Sequence, residues 1–244
     1  MKSLFLAWQA PNRQWFPVGR LDASHNQYRF GYTKGALEAK AEAGFGPLPA
    51  FPDFDASYKS SELFPLFKNR VIDESRKNFA EYLESLGLEH NDPIAILSVT
   101  GGERRTDNLE VFPRIIKAAD GSFDCRFFVH GLRYMTEEAR ARAATLTAGD
   151  RLGVSIELTN PATRIGIQIT TTDYHFVGWT PHYLIPDLIK ATADVSRIAA
   201  RVIRVNTDDV PPNRRILVEF RGIYPEEITP MSEPAFQLIS SEAA

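Results

Sequence analysis

Residues 151–158 read Arg-Leu-Gly-Val-Ser-Ile-Glu-Leu, an unbroken alternation of apolar side chains with polar or small ones. A period of two puts Leu152, Val154, Ile156 and Leu158 on one side of a strand and Arg151, Gly153, Ser155 and Glu157 on the other. Residues 164–170 repeat the pattern with Ile165, Ile167 and Ile169, and Asn160-Pro161 between the two runs reads as a turn. Such a pair of strands asks for an antiparallel sheet with one buried and one solvated face.

The remaining elements are expected around this hairpin. In the first half, residues 4–8, 15–21 and 28–32 read as short strands, with Pro11-Asn12 turning between the first two. Residues 34–43 are rich in Ala and Glu, a helix stopped by Gly44. Pro47, Pro49 and Pro52 make residues 45–54 an extended, aromatic-rich loop. In residues 73–86, Phe79, Tyr82, Leu83 and Leu86 recur at helical spacing before Gly87. Residues 94–99 and 109–112 read as strands around a charged surface loop, 101–108. Asp120-Gly121 marks a linker, 115–122. Beyond it come a strand at 123–131, a helix at 137–145, the hairpin, a helix opened by Pro181 and running toward Ala191, and strands at 197–205 and 214–220. The expectation is an α+β chain: a mixed lobe over 1–114, a linker, a β-rich domain over 123–226, and an irregular tail, 227–244, holding Pro230 and Pro234.

Composition narrows function mainly by exclusion. A chain of 244 residues with 43% hydrophobic and 24% charged residues folds, most naturally as two domains. Its net charge of −3 offers no overall basic field to nucleic acid. Yet beyond residue 119 every basic residue but Lys190 is Arg, the side chain that grips phosphate through a planar fork. A Lys-poor, GC-rich coding composition is the plainer account of that bias and the one we prefer. The single cysteine, Cys125, excludes an intrachain disulfide and lies in an apolar strand, as a small core residue would. The histidines have no metal-ligand spacing, so neither a metal nor a cofactor is expected. The N-terminal apolar run is too short for a signal peptide and no stretch is long enough to span a bilayer, which leads us to expect a cytoplasmic protein with no membrane partner. There is no phosphate-binding Gly-x-x-x-x-Gly-Lys loop and no Gly-x-Ser-x-Gly elbow, so an enzyme is not expected; an accessory subunit of an enzyme assembly is a third alternative. Asp208-Asp209 and Glu226-Glu227 read as solvated charge.

Two stretches carry a resemblance. Residues 123–134, Phe-Asp-Cys-Arg-Phe-Phe-Val-His-Gly-Leu-Arg-Tyr, are followed by Thr159-Asn160-Pro161 and by Phe176-Val177-Gly178-Trp179-Thr180-Pro181. This order resembles the HIRAN family over about residues 120–225. The resemblance implies an OB-like β-barrel that binds single-stranded DNA or DNA ends, with Arg133 and Tyr134 contacting the strand. The family's DNA-end binders place a Tyr and an Asp directly after Asn-Pro, where this chain has Ala162 and Thr163. That departure removes the ring and the carboxylate that read a free 3′ end. The first half is similar to the N-terminal subdomain of HipA-type kinases, through Val18-Gly19-Arg20-Leu21, Tyr28-Arg29-Phe30-Gly31-Tyr32, Phe64-Pro65-Leu66-Phe67-Lys68-Asn69-Arg70, Pro93-Ile94-Ala95-Ile96-Leu97 and Leu109-Glu110-Val111-Phe112-Pro113. That similarity implies a protein-interaction lobe; no kinase domain follows it here.

The candidate nucleic-acid residues are Arg133, Tyr134, Asn160, Arg164, Trp179 and His182, among further rings at Tyr174, His175 and Phe176. Exposed rings stack on unpaired bases and Arg holds phosphate. The plainer account has Tyr134 capping the core, Arg133 pairing with Glu137 or Glu138, and Asn160-Pro161 simply turning the chain. In the first lobe, Phe45, Phe51, Phe54, Tyr58, Phe64 and Phe67 are either a docking face or core. The expected function is non-catalytic nucleic-acid binding with the first lobe contacting a protein. The alternative is a regulator or antitoxin of a separately encoded HipA-like kinase, and a second copy of the chain is a further candidate partner.

Overall fold

The computed structural model describes residues 2–24, 27–104, 106–161, 163–207 and 209–240. It is an α+β chain of two compact units, each assembled from separated segments. The first unit draws on 1–80, 90–114 and 231–244, the second on 81–89 and 115–230. The tail and the first helix after residue 78 therefore cross the boundary expected near residue 114.

The first unit holds β1 (Lys2–Gln9), β2 (Trp15–Ser24), β3 (Gln27–Tyr32), α1 (Lys34–Ala43), β4 (Ser57–Ser60), α2 (Pro65–Lys68), the start of α3 (Phe79–Ser85), α4 (Pro93–Thr100) and β5 (Leu109–Pro113). Its strands form one antiparallel sheet in the order β4-β3-β2-β1-β5. Gly44, at φ 74°, ends α1 as expected. Gly35 lets α1 approach β2: a Cβ there would fall 2.2 Å from the Pro17 carbonyl oxygen. Residues 94–99, expected as a strand, are helical instead. The Asp92 carboxylate accepts from the Ile94 and Ala95 N–H groups, Pro93 occupies the first turn, and Gly101 closes the helix at φ 71°. An apolar run without periodicity suits either structure, and here the caps decide. The helix expected over 73–86 is confined to α3, because Asp73 turns the chain by accepting from the Ser75 N–H. The charged loop 101–108 is exposed at Glu103 and Arg104, as expected, but is anchored at its start. Gly101 and Gly102 are buried, and Arg70 reaches under them to donate to the carbonyls of Leu66 and Gly102 and to Asp107 at 2.5 Å. Arg105 lies outside the described residues.

The six rings proposed as a docking face belong to the core. Phe45, Phe51 and Phe67 are buried, while Phe54, Tyr58 and Phe64 pack partly buried against the same cluster. Phe51 stacks on Phe30 at 4.0 Å between ring centroids and meets Phe64 edge-on at 5.2 Å. The proline-rich loop is pinned inward by Tyr32, whose hydroxyl donates to the Phe51 carbonyl and accepts from the Leu48 N–H. The tail also packs here: Leu238 bridges Thr33, the Ile239 N–H donates to the Tyr32 carbonyl, and Phe236 meets Phe5 edge-on at 4.9 Å.

The second unit contains the rest of α3, then β6 (Ser122–Phe128), α5 (Glu137–Ala144), β7 (Arg151–Asn160), β8 (Arg164–Thr171), β9 (Phe176–Trp179), α6 (Ile185–Lys190), β10 (Ala199–Val205) and β11 (Ile216–Ile223). These strands form one antiparallel sheet, β6-β11-β10-β7-β8-β9. It is not the closed barrel that was expected. Its edges meet at a single residue pair, His130 with Trp179, because β6 stops at Phe128 and β9 is four residues long. Residues 115–122 are not a free linker: Ile115 is buried, and the Lys117 ammonium donates to the carbonyls of Pro225, Glu226 and Ile228. Pro181 precedes a 3-10 turn, His182–Leu184, and α6 starts only at Ile185. Cys125 is buried as expected.

The expected hairpin of β7 and β8 forms, with Val154 opposite Ile169 and Ile156 opposite Ile167. Its apolar face is buried only at the root. Leu152, Ile167 and Ile169 are in the core, whereas Ile156, Ile165 and Leu158 are exposed, Leu158 at 74%. The neighbours are short: β10 pairs with β7 only at Arg151 and Leu152, and β9 pairs with β8 only over Gln168, Ile169 and Thr170. Beyond those pairs the hairpin runs on without flanking strands.

Candidate nucleic-acid interface

After β6, Val129 and His130 carry the backbone to Gly131, which has φ 81° and opens a 3-10 turn, Leu132–Tyr134. The expected strand end is thus a tight turn. A Cβ at residue 131 would stand 2.4 Å from the Trp179 ring, so glycine is required by both conformation and space. The turn presents Arg133 and Tyr134 to solvent, Tyr134 being 64% exposed. The Arg133 guanidinium lies 4.7 Å from the Tyr134 ring centroid and its Nη2 donates to the phenol oxygen at 2.8 Å. Arg133 is therefore held by the tyrosine, in a cation–π arrangement, and not by Glu137 or Glu138.

Trp179 is partly buried and tightly framed. Its backbone exchanges both hydrogen bonds with His130, each 2.9 Å. Its ring lies against Gly131 and Gly166, meets Phe176 and Tyr134 edge-on at 4.4 and 6.1 Å, and donates its indole N–H to Glu157 at 2.7 Å. A ring clamped on so many sides braces Tyr134 more than it offers a face of its own. The Asn160 amide, with Trp179 and Gln168 adding to it, holds the Glu157 carboxyl below its ordinary value, so Glu157 is an anion at neutral pH.

The other candidates divide. Asn160 braces the hairpin turn: its amide donates to Glu157 at 2.8 Å and its oxygen accepts from the Thr163 N–H at 3.0 Å. The Thr163 hydroxyl lies within hydrogen-bonding distance of Asn160 and the Ile165 carbonyl. Ala162, the other departure from the family pattern, lies outside the described residues, as does Asp208. Arg164 is exposed at the same turn, opposite Asn160 and at φ 67°. Burial, with His130 adding to it, pushes the His182 imidazole down to about 3, so it is neutral and lends no charge to a phosphate contact. Beside Tyr134 opens a cleft of about 340 Å³ whose wall includes Thr136, Phe176 and the exposed Tyr174.

Sequence reading passed over a second group. Glu219 on β11 is 1% exposed, and three half-exposed arginines converge on it: Arg126 from β6 at 3.2 Å, Arg201 from β10 at 2.7 Å and Arg221 from β11 at 2.7 Å. Burial acts to raise the Glu219 carboxyl, but the hydrogen bonds from Arg201, Arg221 and Arg126 outweigh it and hold the group below its ordinary value. The excess of Arg beyond residue 119 was the one available signal. Among the described residues no three His, Cys, Asp or Glu side chains are grouped to hold a metal ion, and no helix is long and apolar enough to cross a membrane.

No family model matches the chain, and no curated protein matches it. A crystal structure of a protein from Lactobacillus plantarum is similar to part of it, at 16% identity and a TM-score of 0.32, covering 42% of this chain and 99% of that one.

Proposed function

We propose that the second unit binds single-stranded nucleic acid, with an unpaired base on the Tyr134 ring and a phosphate near Arg133. One observation carries this reading: a mostly exposed aromatic ring, stiffened by a guanidinium and by Trp179, at the apex of a turn that only glycine can make. A pre-set ring loses little freedom when a base lands on it, which favours stacking over the flexible alternative. The resemblance to the HIRAN family supports the same reading.

The test is fluorescence anisotropy of the full chain with a labelled oligothymidylate. We expect weak binding that tightens at low salt and exceeds binding to duplex. Tyr134→Ala removes about 1–3 kcal/mol of stacking, a loss of roughly 5- to 150-fold in affinity. Blocking the 3′ hydroxyl changes affinity little, since the Thr163 hydroxyl is engaged within its own turn. Absence of binding to every DNA and RNA at low salt overturns the proposal.

A further inference from the structure

The strand register places the arginines around Glu219 and the aromatic site on one face of the second sheet. Residues opposite each other on neighbouring strands share a face, and along a strand every second residue does. Arg126 stands opposite Glu219, Glu219 opposite Arg201, and Arg201 opposite Arg151. Four adjacent strands thus carry one row: Arg126, Glu219, Arg201, Arg151. Arg221, two residues beyond Glu219, lies on the same face, with Asp124 opposite it. From Arg151 the face continues along β7 through Gly153, Ser155 and Glu157. It crosses to Gln168 on β8, opposite Ser155, and to Trp179 on β9, opposite Gln168.

This row is an unusual arrangement for a sheet that binds nothing. Arg201 and Arg151 are like charges directly opposite each other, which is destabilising unless an anion lies between them or above them. Glu219 serves Arg126, Arg201 and Arg221, but each guanidinium has five donors, and Glu219 engages only the Nε and Nη2 edge of Arg126 and Arg201 and the Nε of Arg221. Arg151 is exposed and has no partner among the described residues. Counting Asp124, Glu219 and Glu157 against the four arginines leaves a charge of about +1 on this face by formal charge, on a chain whose total is −3. The lane between Arg151 and Trp179 bears only Gly153, Ser155, Thr170 and Gln168 before Glu157, so nothing bulky or charged interrupts it. The seven residues of strand from Arg151 to Glu157 span about 20 Å.

We propose that this face is a phosphodiester track: Arg126, Arg151, Arg201 and Arg221 hold backbone phosphates of the same strand whose base stacks at Tyr134. The inference rests on the nucleic-acid reading above and extends it from one stacked base to several nucleotides. Spaced, half-exposed guanidinium forks with small neutral residues between them fit a flexible chain with regularly repeating anions.

The experiment compares salt dependence in the full chain, using oligothymidylates of about 4 and about 12 nucleotides, within the usual span of single-strand sites. Arg151→Gln leaves the fold intact, since the Arg151 side chain has no partner among the described residues, and lowers the slope of log affinity against log salt by about 0.7 for the lost phosphate contact. Arg221→Gln acts in the same direction. Tyr134→Ala weakens binding while leaving the slope unchanged. The longer oligonucleotide binds more tightly than the shorter, and that advantage shrinks in Arg151→Gln. If the wild type binds DNA and Tyr134→Ala weakens it but neither arginine variant alters the slope, the track is wrong and the stacking site stands. If the wild type binds no oligonucleotide, both fail. Arginine-dependent binding of polyglutamate without binding of oligothymidylate likewise overturns the track, and identifies an acidic protein segment as the occupant.

Discussion

The two units treat the same kinds of side chain in opposite ways. In the first, a string of aromatic residues among prolines folds inward, so that Phe51 is 1% exposed between Phe30 and Phe64. In the second, Tyr134 ends a turn opened by a glycine and stays 64% exposed, although the Trp179 ring and the Arg133 guanidinium lie against it. Carboxylates diverge as well. Burial, with Glu103 adding to it, pushes Glu110 of β5 up to about 8, while Glu157 and Glu219 are held ionised by donors. What separates the cases is the local supply of polar partners: Tyr32 gives the proline loop a reason to turn inward, and the arginines give Glu219 a reason to stay charged. Residue type alone does not assign a ring to core or surface.

The sharpest way to break this comparison is Phe51→Ala. If the ring is core, the variant loses about 3–5 kcal/mol and melts far below the wild type in a thermal scan; a stable, soluble variant would return the ring to a docking role. The Glu110 contrast is read from pH. Its folded-state value lies above the ordinary 4.5 or so, so the native state holds the extra proton between about 4.5 and 8. Its contribution is complete below that window and is lost as pH rises through it. Denaturant titrations across the window should show stability falling with pH, and Glu110→Gln should flatten that fall. Gly131→Ala comes next. It forces a left-handed backbone on alanine and drives a methyl group into Trp179, on the order of 1–3 kcal/mol of strain, seen as a lower melting temperature together with altered tryptophan fluorescence. Smallest is the stability effect of Tyr134→Ala, within about 0.5 kcal/mol, even though its effect on binding is large. A stability loss matching that of Phe51→Ala would erase the distinction between the units.

The strands of both sheets were legible where alternation was long, and the helix stop at Gly44 and the turn at Asn160 were legible from chemistry alone. Residues 94–99 were not, since five apolar residues and one serine have no clear period to read; Asp92-Pro93 before them and Gly101 after them were the signs of a helix. The burial of Phe45, Phe51 and Phe67 depended on Tyr32, a residue of another element whose hydroxyl fixes the loop from a distance. Half of the hairpin's apolar face stays exposed because burial depends on the length of neighbouring strands, which alternation within β7 does not encode. At the candidate site, Arg133 and Tyr134 were readable from the turn-forming glycine beside them. The row from Arg126 to Arg151 was not, since it exists only through the register of four strands far apart in sequence.

The placement of the tail sets an order of events during synthesis. Residues 234–239 supply a helical turn against α1, the bridge to Thr33 and the ring that meets Phe5, so the first unit is incomplete until those residues have been made. Every segment of the second unit, 81–89 and 115–230, leaves the ribosome before that stretch does. At roughly 5–20 residues per second, the aromatic-rich β1–β5 sheet waits on the order of ten seconds for its final piece. During that interval the β1–β5 sheet lacks the turn that packs on α1 and the ring that meets Phe5.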